Sequence, residues 1–92
     1  MYYVYVLKSL TVVSWTYIGC CDNLQERFAR HNKGDVRSTK ARRPYILVYY
    51  ESYRVKGDAR TREIALKTNS VQKEDLFKRI RLSLEDVSML SS

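Results

Sequence analysis

Tyr17-Ile18-Gly19-Cys20-Cys21-Asp22-Asn23-Leu24-Gln25-Glu26-Arg27-Phe28-Ala29-Arg30-His31 is the stretch whose reading decides the fold. It opens as a β-branched and aromatic run, breaks at Gly19 and restarts at Asp22 as a helix, so a strand feeds a helix. Asp22 followed three residues later by Gln25 has the spacing of a capping box, in which the two side chains satisfy unpaired backbone N–H groups. That spacing predicts a helix starting at Asp22. At about 100° per residue, Leu24 and Phe28 form a buried stripe, and Arg27 and His31, four apart, stack on its edge. Read alone, the pair is a snorkelling arginine and a half-exposed histidine.

Outward from this stretch the chain resolves into short elements. Residues 2 to 7, Tyr-Tyr-Val-Tyr-Val-Leu, are all strand formers with no breaker. Alternation puts Tyr3, Tyr5 and Leu7 on one face and Val4 and Val6 on the other. Lys8 to Trp15 is an apolar hairpin connection without a glycine, proline or asparagine. If Val4, Val6, Ile18 and Cys20 share the core face, Tyr5 and Tyr17 meet on the opposite face. The helix should end at Lys33-Gly34, where glycine can take the left-handed cap. Residues 35 to 44 read as a basic surface loop and Tyr45 to Tyr53 as a third strand, with Ile46, Val48 and Tyr50 on one face and Leu47, Tyr49 and Glu51 on the other. Gly57-Asp58 is expected to cap a second helix over 59 to 68. Asn69 or Ser70 restarts a third, with Leu76, Phe77, Ile80 and Leu84 as its stripe. The order β-β-α-β-α-α predicts an α+β fold, a small three-stranded antiparallel sheet flanked by three helices. One domain over residues 1–84 is expected, with 85–92 as a tail or short helix.

Composition narrows the function classes. The chain has 92 residues and no stretch approaching a membrane span, and its N-terminus lacks a secretory signal, so a cytoplasmic location with no membrane partner is expected. Cys20 and Cys21 are adjacent, which suits neither a disulfide staple nor a zinc site. Net charge is +7, and it is concentrated: between residues 27 and 43 Arg27, Arg30, Lys33, Arg37, Lys40, Arg42 and Arg43 face only Asp35. A patch of this density attracts polyanions, nucleic acid above all. Arg30, Lys33, Arg37, Lys40, Arg42 and Arg43 are the candidate phosphate-gripping residues.

The chemistry-bearing residues then collect as Tyr5, Tyr17, Arg27, His31 and a lone acid, Glu63, within Arg60-Thr61-Arg62-Glu63-Ile64-Ala65-Leu66-Lys67. Spacing alone makes Glu63 an ion-paired helix residue, since Glu63 and Lys67 have the favourable i to i+4 order. The sharper reading is phosphodiester hydrolysis, in which a carboxylate holds a divalent cation, an arginine stabilises transition-state charge, and a phenol or imidazole deprotonates water. One carboxylate suffices because Mg²⁺ keeps most of its waters and takes up substrate oxygens.

Over residues 2 to 80 the sequence resembles the GIY-YIG nuclease superfamily, in particular its small stand-alone bacterial branch. Tyr3-Val4-Tyr5 stands at the first signature triplet and Tyr17-Ile18-Gly19 is the second verbatim; Arg27 and His31 follow at the family's helix spacing, and Arg62-Glu63 with Lys67 resembles its metal-binding helix. The resemblance implies a metal-dependent endonuclease. Glu63 would bind one Mg²⁺ or Mn²⁺, Arg27 would contact the scissile phosphate, and Tyr5, Tyr17 and His31 would position or deprotonate the attacking water, with either tyrosine as the base. Lys67 and Asn69 are accessory candidates. The chain departs from the pattern in carrying Tyr3 where the first triplet has glycine.

The expected partner is DNA, single-stranded, branched or duplex, cut with low sequence specificity, because no separate site-choosing domain is present and exposed aromatics suit unpaired bases. Two alternatives stand beside the enzyme. One is a nucleic-acid-binding module without turnover, which Glu63 disfavours because a carboxylate facing phosphate weakens binding unless a cation intervenes. The other is a subunit of a repair or restriction assembly, or a homodimer, docking through an exposed apolar hairpin around Val12, Val13 and Trp15.

Overall fold

Residues 1–86 are described by the computed structural model. Strands β1 (Tyr2–Ser9) and β2 (Thr16–Cys21) lead into α1 (Leu24–Lys33); a 3-10 turn at Lys40–Arg42 precedes β3 (Tyr45–Tyr53), and α2 (Lys56–Thr68), α3 (Ser70–Arg79) and α4 (Arg81–Glu85) follow. The sheet is antiparallel in the order β2-β1-β3. The predicted α+β class and element order therefore hold, with one short helix added at the end. The fourth helix arises because the third apolar stripe breaks: the backbone leaves helical geometry at Ile80 (φ −106°, ψ 21°) and Leu84 falls on α4. Glu85 closes that helix, and the remainder of the expected tail, 87–92, lies outside the described residues.

β1 is the central strand, and its alternation organises both faces of the sheet. Val4 and Val6 pack with Ile18, Ala59, Leu66 and Leu76 beneath α2 and α3. Tyr5 and Leu7 pack with Cys21 and Tyr45 on the other face, where Leu24 and Phe28 of α1 cover them as half-buried partners. Pairing of Tyr5 with Gly19 and of Leu7 with Tyr17 brings the two tyrosine rings to 6.4 Å on the α1 face, as the alternation requires. Gly19 has a packing reason to be glycine: a Cβ there would overlap the Tyr5 ring and hydroxyl.

β3 departs from simple alternation. Val6 pairs with Tyr49 but Leu7 with Leu47, so Val48 is an extra residue and the strand bulges. Leu47 lies on the α1 face, while Val48 and Tyr49 pack on the α2 face, and Tyr50 returns to meet Tyr3 edge-on at 5.9 Å. The expected pairing of Val48 with Tyr50 and of Leu47 with Tyr49 is thereby broken. A bulge inverts every later side chain, and period-two patterning cannot show it.

Two helix starts also move. The α1 cap is Asn23, not Asp22: its side chain accepts the Glu26 N–H at 3.1 Å and its backbone is extended. Both residues offer a suitable oxygen; β2 ends at Cys21, and Asp22 lies in the bend before the cap. α2 begins at Lys56 rather than 59, with Val55 at the cap position and no side-chain cap; Gly57 and Asp58 sit inside the first turn. The other two predicted ends are correct. Gly34 closes α1 at φ 85°, and Asn69 accepts from the N–H groups of Val71 and Gln72 at 3.0 and 3.1 Å to start α3.

Candidate active site

The α1 face of the sheet supplies the first half of the site. Tyr5 on β1, Tyr17 on β2 and His31 on α1 hold their ring centroids 5.2 to 6.4 Å apart. The Tyr5 hydroxyl lies 2.8 Å from His31 Nε2, and His31 Nδ1 lies 2.7 Å from the Thr39 hydroxyl. His31 is completely buried, contrary to the half-exposed position its helical spacing suggested. The reason is the segment after Gly34. It folds back over the helix instead of looping into solvent, and the buried Thr39 closes over the imidazole.

Burial sets the protonation of this pair. Desolvation, reinforced by the charges of Arg27 and Arg30, lowers His31 to about 4, so the ring is neutral near pH 7. Desolvation, with Tyr17 and Cys21 adding to it, raises Tyr5 well above the usual phenol range despite the opposing charge of Arg27. Tyr5 is 1% exposed and His31 is its hydrogen-bond partner. Tyr17 differs. It is half-buried, and its hydroxyl has no hydrogen-bond partner among the described residues yet is not enclosed, so it reaches solvent.

The second half comes from α2. Glu63 is 4% exposed, and its two oxygens bind Arg60 Nη1 at 2.6 Å and Lys67 Nζ at 3.1 Å. The ion pair expected from the Glu63–Lys67 spacing is therefore present, with Arg60 as an added partner that spacing alone did not single out. Lys67 reaches further: its ammonium sits 5.5 Å from the Tyr17 ring centroid, linking α2 to the aromatic cluster. Cys20, whose thiol burial and then Glu63 push upward, packs on the α2 face; Cys21, on the α1 face, is raised to about 11 by burial. Both are free thiols. Arg27 is half-buried, makes no ion pair among the described residues, and lines a cleft of about 500 Å³ with Tyr2, Cys20, Cys21, Asp22, Lys56 and Arg60. An unpaired guanidinium in a cleft beside two further cations suits a phosphate.

The basic segment borders this face. Arg30, Lys33, Arg37, Lys40, Arg42 and Arg43 are all exposed. It is not an irregular loop: Ser9 and Thr11 hydroxyls hold the Arg42 carbonyl at 2.6 and 3.2 Å, and Arg43 donates to the Lys33 carbonyl at 2.8 Å. Arg42 lies 4.8 Å from the Trp15 ring centroid, and Trp15 stacks on Tyr17 at 6.3 Å and 16°. A row of cation, two aromatics and cation thus runs from Arg42 to Lys67. Trp15 is half-buried in that row, which reduces the expected apolar docking tip to Val12 and Val13. Asn69, an accessory candidate, spends its side-chain oxygen on the α3 cap.

Sequence reasoning missed Thr39 and Lys56. Thr39 stands in a run of cations with no periodicity, and the one hint was Gly34, which turns the chain back toward the histidine. Among the described residues no cluster of three metal-ligating side chains occurs, and no helix is long and apolar enough to cross a membrane.

Comparison with known proteins gives a match to the GIY-YIG catalytic domain over residues 1–75. Similar proteins include a UPF0213 protein of Staphylococcus haemolyticus, 39% identical over 74 residues that cover 79% of this chain and 88% of the relative. A UPF0213 protein of Bacillus pumilus is 38% identical over 77 residues, covering 83% and 76%, and one of Staphylococcus saprophyticus is 36% identical over 74, covering 79% and 88%. No solved structure gives a significant match.

Proposed function

The chain belongs to the GIY-YIG family, and from that premise we propose that it is a divalent-metal-dependent DNA endonuclease of low sequence specificity, acting on single-stranded or branched DNA in preference to plain duplex. One observation carries the chemistry: the two reactive groups that need to meet substrate, the Arg27 guanidinium and the Tyr17 hydroxyl, have no hydrogen-bond or ion-pair partner among the described residues, beside a buried acid and a buried phenol–imidazole pair.

Arg27 receives the scissile phosphate in the cleft and balances the charge that grows on its oxygens. Tyr17 is the phenol that solvent can reach, so it orients and deprotonates the attacking water, with Lys67 supplying nearby positive charge. Tyr5 and His31, buried behind it, hold the Tyr17 ring in place and carry the hydrogen bonds of the interior. Exposed cations from Arg30 to Arg43 bind the flanking backbone and make affinity salt-dependent.

Glu63 is the residue that would hold the metal. A buried carboxylate, each of whose anionic oxygens is already paired with a cation, is a hard oxygen donor suited to Mg²⁺ or Mn²⁺. Its present partners are replaceable, since the Arg60 and Lys67 side chains are 63% and 42% exposed. When bound, the ion supplies Lewis-acid stabilisation of phosphate and leaving-oxygen charge.

Incubation of the protein and its Glu63→Ala variant with single-stranded, duplex, flapped and branched DNA in Mg²⁺ or Mn²⁺, with a chelator control, tests the reading. Metal-dependent cutting that the variant loses is expected. The two cations on Glu63 favour one other reading, a binding module whose acid is neutralised without metal. Tight, salt-sensitive binding by both proteins with no cutting would replace the enzyme by that module.

A further inference from the structure

His31 is the only histidine in the chain, fully buried, and both ring nitrogens lie within hydrogen-bond distance of hydroxyls. A neutral imidazole has one donor and one acceptor, so the two contacts must run in opposite senses. Counting protons decides which. If Nε2 carried the hydrogen, it would donate to Tyr5, and the Tyr5 O–H, 1% exposed, would have no acceptor. Leaving such a buried donor unmade costs about 1–3 kcal/mol. With the hydrogen on Nδ1 every proton is used: Tyr5 O–H donates to Nε2, Nδ1–H donates to Thr39 Oγ1, and the Thr39 hydroxyl donates to the Val36 carbonyl at 3.3 Å.

We propose that Tyr5 and Thr39 together fix His31 as the Nδ1–H tautomer, the Tyr5 O–H requiring Nε2 as its acceptor and Thr39 Oγ1 taking the Nδ1 hydrogen, so that Thr39 is a positioning residue of the site. Thr39 is itself held on three sides. Its N–H donates to the Val36 carbonyl at 3.1 Å, its carbonyl accepts the Tyr45 hydroxyl at 2.6 Å, and its side chain is fully buried. The hydroxyl therefore has no freedom to turn away. The same backbone leads directly into Lys40, Arg42 and Arg43, which ties the DNA-facing segment to the interior of the site. The consequence for cleavage rests on the nuclease reading; the assignment of the tautomer does not.

A single histidine makes the direct test clean. The protein labelled with ¹⁵N-histidine gives one imidazole, whose long-range ¹H–¹⁵N correlations distinguish the two tautomers. The wild type is expected to show a protonated Nδ1 and an unprotonated Nε2; Thr39→Ser keeps that pattern, and Thr39→Val loses it in whole or part. Tyr5→Phe, which removes the donor that requires Nε2 as its acceptor, is expected to lose it in whole or part. An Nε2–H pattern in the wild type overturns the proposal, as does an unchanged pattern in folded Thr39→Val or in Tyr5→Phe. Should Thr39→Val fail to fold, the wild-type and Tyr5→Phe spectra still decide. In cleavage assays Thr39→Val is expected to lower kcat by about 10- to 100-fold with KM little changed, and Thr39→Ser to restore it. Absence of cleavage by the wild type would count against the nuclease reading and leave the spectra to judge Thr39.

Discussion

Glu51 and Glu63 are both carboxylates drawn out of solvent beside arginines of α2, yet they are held in opposite ways. Glu51 accepts from Tyr49 and Tyr53, each at 2.5 Å, and from Arg62 Nε at 2.6 Å; these partners are half-buried, and Arg62 is itself fixed by Gln72 at 3.2 Å. Glu63, one residue beyond Arg62, is more deeply buried but is met by two exposed side chains alone. Burial therefore does not single out the acid proposed to hold the metal; the replaceability of its partners does. Glu51 is locked into β3, α2 and α3, whereas Glu63 can exchange its partners without opening the fold.

The largest expected effect follows from that contrast. Glu63→Gln should lower metal-dependent cleavage by roughly 10³-fold while leaving thermal unfolding nearly unchanged, because it removes the anionic donor but keeps the side chain's shape. Cleavage rates and unfolding curves on the same preparations would show it. A variant that cuts normally would end the assignment of Glu63.

Glu51→Gln should do the reverse. Removing the charge strands the half-buried Arg62 and weakens two tyrosine hydrogen bonds, at a cost of about 2–3 kcal/mol in urea unfolding, with cleavage retained once the protein is folded. Burial pushes the Glu51 carboxyl up, but the hydrogen bonds from Tyr49, Tyr53 and Arg62 outweigh it and hold it below its usual 4.5. Burial, and then its own hydrogen bond to Glu51, raises Tyr53 to about 12. Glu51's contribution is thus fully present above pH 4.5 and lost as pH falls through the depressed folded value. The variant should lose that acid-limb dependence, and retention of it would place the titration elsewhere.

How much of this was legible in the sequence follows the range of each signal. The alternation of Val4, Tyr5 and Val6 placed both faces of the sheet, and the meeting of Tyr5 and Tyr17 on one of them followed from it. Gly34 and Asn69 announced helix ends through local backbone chemistry. Beyond the two shifted helix starts, what failed was non-local. The bulge at Val48 depends on how β3 meets β1, and His31 became buried because Thr39, eight residues on, returned over it. The contrast between Glu51 and Glu63 was invisible for the same reason: Glu51 gains its partners across the sheet and from α2, while the i to i+4 pair on Glu63 could be read from one helix.

His31 belongs with Glu51 among the locked networks, and pH separates it from the exchangeable acid. Its folded value of about 4 lies below the ordinary 6.5, so the stability it contributes is fully present above pH 6.5 and declines as pH falls toward 4, where the unfolded chain alone takes the proton. The decline should be about 2 kcal/mol between pH 7 and pH 5. Urea unfolding at those two values, compared with His31→Gln, measures it. Equal slopes for the two proteins would mean that the imidazole is not held neutral by its burial.

The smallest expected effect probes the premise directly, through two arginines two residues apart. Arg62→Ala leaves Glu51 with its tyrosines but without its cation and should cost about 2 kcal/mol, because the lost partner is only 24% exposed and the acid 18%. Arg60→Ala removes a side chain that is 63% exposed, and Lys67 remains on Glu63, so the cost should stay under about 1 kcal/mol. Side-by-side urea titrations of the two variants give the difference without any assay of activity. A loss at Arg60 as large as at Arg62 would show that the cations on Glu63 are structural rather than replaceable. The acid would then be locked in place like Glu51, and its availability to a metal would have to come from a rearrangement of α2 itself.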